Sequence, residues 1–149
     1  MTIFDDIRNQ NVASVKAKLA ATPEILNIKD QRGSTPLLLA TYYGHEELTK
    51  EILHHKPDLD LQDTSGNTAL MGVAFKGYTT IAKLLIDAGA NLDISNSNGA
   101  TALIYAVTFA HKDIIKLLLK NNVDISLRDA QGNTASDHAI MQGLSIDGL

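Results

Sequence analysis

Five histidines and a set of recurring acidic residues are the side chains in this sequence best suited to chemistry. His54 and His55 are adjacent, so on a helix they project in different directions and would not converge on one ion. His45 and His111 recur at one place of a repeating pattern, and His138 lies close to the last residues. The run Asp93-Ile94-Ser95-Asn96-Ser97-Asn98-Gly99 alternates oxygen donors in the manner of a calcium loop. Its glycine comes one residue late, and no glutamate follows at the twelfth position of such a loop. Asp30, Asp63 and Asp129 also recur by register, with Asn96 in the remaining place; such residues shape turns by accepting hydrogen bonds from nearby backbone amides. There is no cysteine, which excludes disulfides, thiolate metal sites and cysteine nucleophiles. No Gly-x-Ser-x-Gly elbow, phosphate-cradling loop or dinucleotide fingerprint occurs. The expectation is no catalytic residue, no metal and no cofactor.

The whole-chain numbers point the same way. At 149 residues, 44% hydrophobic and 20% charged, the chain has the size and composition of one soluble domain. Its net charge of −4 disfavours nucleic acid or an anionic membrane as partner, since both require a basic patch. No apolar run approaches the roughly 18 residues of a membrane span. The start, Met1-Thr2-Ile3-Phe4-Asp5-Asp6, has neither the basic nor the apolar region of a signal peptide. A cytoplasmic location is expected.

The elements that must position these residues follow from a period. Gly33-Ser34-Thr35-Pro36-Leu37, Gly66-Asn67-Thr68-Ala69-Leu70, Gly99-Ala100-Thr101-Ala102-Leu103 and Gly132-Asn133-Thr134-Ala135-Ser136 begin 33 residues apart each time. Leu48, Ile81 and Ile114 share that register, as do Ile52, Leu85 and Leu118. Run backwards, it sets Thr2, Phe4, Val15 and Leu19 at the places of Thr35, Leu37, Leu48 and Ile52. In each unit a threonine can cap a first helix. Gly44, Gly77 and Gly143, with Ala110 in the fourth place, then break it. A second helix follows with apolar residues three and four apart, such as Ile81, Leu84 and Leu85. Gly89 can end the second helix in the left-handed conformation; Asn122 can do the same less well, and Lys56 is the awkward member at that place. Neither helix is long enough to be stable alone, so stability must come from stacking units.

The period, the Gly-x-Thr-Pro-Leu start, Gly44-His45 and the run Lys83-Leu84-Leu85-Ile86-Asp87-Ala88-Gly89-Ala90-Asn91 resemble the ankyrin repeat along the whole chain. The resemblance implies an all-α solenoid of stacked helix-turn-helix units with protruding turns. About five repeats are expected, at approximately 1–29, 30–62, 63–95, 96–128 and 129–149, in a single domain, 1–149. The first and last are incomplete. Family members usually carry a histidine two residues after the proline that ties neighbouring repeats by hydrogen bonds. Leu38, Met71, Ile104 and Asp137 stand there, so packing is expected to replace that tie. Glu51 occupies the place of Leu84 and Leu117 and should weaken the second unit's contact. Asp5, Asp6 and Arg8 at one end, and Ser136, Asp137 and His138 at the other, read as polar caps. The last unit is expected to be half a repeat that frays over 136–149.

The resemblance also implies a binding face: turn tips as fingers and the ends of the first helices as a palm. The palm places include Tyr42 and Tyr43, Phe75 and Lys76, and Thr108 and Phe109. Four of the seven aromatics thus fall on palm places of three consecutive units, and large rigid rings of this kind anchor interfaces. The expected contact set is Tyr42, Tyr43, Phe75, Lys76 and Phe109, with fingertip residues Arg32, Ser65 and Asn98 tuning specificity. The expected partner is an unidentified protein or peptide held by a monomer. The alternatives are a non-catalytic regulatory fragment of a larger protein and, less favoured, a scaffold carrying a small-molecule or metal site. Glu46, Glu47 and Glu51 against Lys112, Lys116 and Lys120 read as solvated faces of the second helices.

Overall fold

A computed structural model describes residues 1–149 and contains nine α-helices and no strand. In chain order they are α1 (Ile3–Arg8), α2 (Val12–Ala21), α3 (Pro36–Tyr42), α4 (Glu46–His54), α5 (Ala69–Lys76), α6 (Thr79–Ala88), α7 (Ala102–Thr108), α8 (Lys112–Lys120) and α9 (Ala135–Met141). A 3₁₀ turn, Pro23–Asn27, follows α2. The odd-numbered helices pack side by side in one layer, and the even-numbered ones in a second layer behind it. No helix is long and apolar enough to cross a membrane.

Each first helix starts the same way. The hydroxyls of Thr2, Thr35, Thr68, Thr101 and Thr134 accept from the amide three residues on, at 3.2–3.3 Å. At Thr2 and Thr134 the third helical residue is an aspartate, Asp5 or Asp137, which completes a reciprocal capping box. The second residue after the cap packs inward: Leu37, Leu70 and Leu103 are buried, as are Val15, Leu48, Ile81 and Ile114 on the second helices. These side chains form one continuous core through the stack. Leu38, Met71 and Ile104 are buried in it too, so packing does stand where the family's histidine tie would be.

Hydrogen bonds between units run along two other lines. At the turn tips, the amides of Thr64, Ser97 and Ala130 donate to the carbonyls of Arg32, Ser65 and Asn98 at 2.9–3.2 Å. Behind them, the amides of Asp58, Asn91 and Asp124 donate to the side chains of Asn27, Asp60 and Asp93 at 2.8–3.0 Å. The first line explains the turn glycines. A Cβ on Gly33, Gly66 or Gly99 would meet the next turn's backbone at 2.8–2.9 Å, and all three have positive φ.

Departures from the repeat are absorbed locally. Lys56 and Asn122 adopt the left-handed conformation that Gly89 takes at the same place. Glu51 is half-buried with its Oε1 lacking any hydrogen-bond partner, 4.0 Å from His55. Asp6, expected as a solvent-facing cap, instead points inward: it is buried and bound by Lys18 and the Ser14 hydroxyl of α2. The last unit has only its first helix. Leu144, Ile146 and Leu149 nevertheless pack against the core.

Candidate interaction surface

The surface is built by the last turns of α3, α5 and α7. A first helix buries the residues three and four places apart that face the second helix, so its final residues emerge beyond the core. Tyr42, Tyr43, Phe75 and Phe109 are 44%, 48%, 41% and 45% exposed. They do not form one uniform stripe. Tyr42 and Tyr43 meet edge-on at 5.9 Å, and the Lys76 ammonium lies 4.7 Å from the centre of the Tyr42 ring. Phe75 and Phe109 form a second pair at 4.7 Å, with Tyr105 at 6.0 Å from Phe75. Lys76 is therefore brought together with the tyrosines. The fingertip residues Arg32, Ser65 and Asn98 are exposed on successive tips, joined to one another only through the backbone line described above.

Each tip is held by the side chain at the recurring acidic place. One oxygen of Asp30, Asp63, Asn96 and Asp129 accepts from the amides two and four residues on, at 2.8–3.0 Å. The second polar atom differs from unit to unit. Asp30 Oδ2 lies 3.9 Å from the Arg8 guanidinium. The Asn96 amide donates to the Tyr105 hydroxyl at 2.7 Å and to Asn67 Oδ1 at 2.8 Å. Asp129 Oδ2 meets His138 Nε2 at 2.7 Å. Burial works to raise the Asp129 carboxyl, but the Asn133 amide, His138 and the Gln131 amide outweigh it and hold the group below its usual range. Asp63 alone keeps its second oxygen unpartnered. It lines a pocket of about 210 Å³ over Gly72, walled by Tyr42, Phe75, Tyr105, Leu38 and Met71.

The histidines are otherwise engaged or apart. His111 reaches the Phe75 carbonyl at 3.0 Å and covers Gly77, His45 stacks on Tyr43, and His54 and His55 meet edge-on. No group of three or more histidine and carboxylate side chains converges.

A family model described as ankyrin repeats (3 copies) matches residues 7–96 and 71–147. The chain is an ankyrin-repeat protein. Ankyrin repeats are in general protein–protein interaction modules, and the family is typically non-catalytic. No curated protein gives a significant match over its sequence. Within this ankyrin stack, sequence reasoning missed three residues of the pocket and its rim. Tyr105 lies one turn before the palm places, yet it joins the Phe75 and Phe109 rings. Asp63 was assigned only to its turn. Gly72 was passed over, although it shares a column with Leu39, Tyr105 and His138; a glycine inside a helix at a place otherwise held by large side chains was the available signal.

Proposed function

We propose that this ankyrin stack holds a partner protein or peptide on its concave, first-helix side. Tyr42, Tyr43, Phe75, Lys76 and Phe109 make the contact, and Arg32, Ser65 and Asn98 tune specificity. The observation that carries this reading is the exposure of four aromatic rings, each more than two-fifths open, on three consecutive units. Rings of this size gain most when a partner removes them from water. The polar, uncharged character of most fingertips favours a protein over a polyanion. The same reading makes the chain a non-catalytic, cytoplasmic monomer, with residues 1–149 as one domain and unit boundaries after residues 29, 62, 95 and 128.

The test is a capture experiment from host lysate with two baits, the native chain and a variant with alanine at Tyr42, Tyr43, Phe75 and Phe109. A protein retained by the first and lost by the second, with a direct affinity loss of roughly 2–4 kcal/mol or more, supports the assignment. The variant should keep its helicity, because none of the four rings belongs to the buried core. Equal capture by both baits would remove the palm from consideration.

A further inference from the structure

We propose that the pocket over Gly72 is the anchor subsite of this surface and takes an arginine side chain from the partner, its guanidinium on Asp63. The proposal rests on the palm reading above and adds the chemistry of the group recognised.

The internal comparison carries it. Three units have an aspartate at the recurring tip place. In the first, Asp30 Oδ2 faces the guanidinium of Arg8; in the last, Asp129 Oδ2 holds the imidazole of His138. Each carboxylate is thus met by a nitrogen donor from a basic side chain, and each donor comes from a fixed register place. Moved to the unit of Asp63, Arg8 becomes Thr41 and His138 becomes Gly72. Gly72 has no side chain. Thr41 lines the pocket, but its hydroxyl donates back to the carbonyls of Leu37 and Leu38 at 2.8 and 3.2 Å. Both internal suppliers are missing at the same unit, and the space they leave is open.

The shape of that space suits the missing group. At about 210 Å³ it is smaller than the roughly 300–1,000 Å³ of sites for drug-sized ligands, a size for one side chain. Leu38 and Met71 offer an apolar surface for an aliphatic stem. Tyr42, Phe75 and Tyr105 line it with aromatic rings, a type of surface that attracts cations. Arginine is favoured over lysine because its planar, weakly hydrated head stacks on rings while donating to a carboxylate. Arg8 and Arg32 line the adjoining groove with Asp63, and Lys76 lies on Tyr42, but none of them forms an ion pair with Asp63.

The experiment is an amide-resolved NMR titration of the full chain with three blocked tripeptides, glycyl-X-glycine, in which X is arginine, lysine or citrulline. The arginine peptide should shift the amides of Ser34, Asn67 and Gly72 and saturate. Citrulline, which keeps the shape and loses the charge, should bind about tenfold more weakly, with lysine between them. Asp63→Asn should cost a similar factor while keeping its turn, since Asn96 makes the same two turn bonds. Gly72→Leu, which restores the residue of Leu39, should fill the pocket and abolish the shifts, with thermal melting as the check on its fold. Equal binding of arginine and citrulline, full affinity in Asp63→Asn, shifts elsewhere, or no binding of the arginine peptide would each overturn the subsite. The palm reading stands separately, because Tyr43 and Phe109 lie outside this pocket and answer to the capture experiment.

Discussion

In the last unit Asp129 meets His138 nine residues on, and the two side chains are only 11% and 17% exposed; in the third unit Asp63 faces Gly72 across open space. The turn geometry is the same in both, down to the two amides bound by one carboxylate oxygen. What faces the carboxylate's other oxygen differs: His138 on the helix of one unit, Gly72 on that of the other. A filled place ties the tip to the helix and adds rigidity. An empty one leaves a charged acceptor and three rings facing outward. The tip turn does not need the second bond, so that bond can be given up where a pocket is of use.

Removing the tie in the last unit should have the largest effect. His138→Gly loses the bond to Asp129 and introduces glycine into α9, at a cost of about 2 kcal/mol. Urea unfolding measures it, and amide exchange should quicken first over 135–141. An unchanged midpoint would mean the Asp129–His138 pair is ornamental. The second-helix layer offers a parallel contrast, since Glu51 holds a half-buried, unpartnered oxygen where Leu84 and Leu117 are apolar. Glu51→Leu should stabilise the chain by about 1–2 kcal/mol; a lower midpoint would show that the site needs its carboxylate. Smaller still is Gly72→Ala. An added Cβ would sit at an ordinary 3.7 Å from Tyr42, so the helix should gain about 0.5–1 kcal/mol, while the pocket narrows. If Gly72→Ala is destabilising, the helix is not paying for an opening and the comparison fails.

Acid should separate the two units without mutation. The Asp129 carboxyl is held below its usual range, so its contribution is complete above the ordinary carboxylate value of about 3.9. It is lost as pH falls below that value, through the folded one. Thermal melts from pH 5 to pH 2 should show a steeper acid loss in the native chain than in His138→Gly. Parallel curves would place the acid sensitivity elsewhere, with Asp6, held low by Lys18 and Ser14, as the next group to test.

The parts of the structure that repeat were legible in the sequence. The period located the capping threonines, the buried column of Leu48, Ile81 and Ile114, the left-handed Gly89 and Asn122, and the open rings at Tyr42 and Tyr43. Repetition makes such places readable, because each unit checks the others. The pocket over Gly72 was not legible, since it is defined by the absence of a side chain and by walls from three units at once. Asp6 was misjudged because its partners, Ser14 and Lys18, belong to the next helix. The contacts of the tail were not foreseen for a related reason: Leu144, Ile146 and Leu149 follow no repeat, and only the core they pack against explains them.

The two lines of hydrogen bonds between units have a direction. In both, a later backbone amide donates to an earlier acceptor: Thr64 to Arg32, Ser97 to Ser65, Asp58 to Asn27, Asn91 to Asp60. Each unit therefore offers its acceptors to the unit that follows and its amides to the unit that precedes, so the two ends of the stack are not equivalent: one is left with free acceptors and the other with free donors. Each unit is joined only to its neighbours, so it depends for its closure on the one beside it and not on a distant segment.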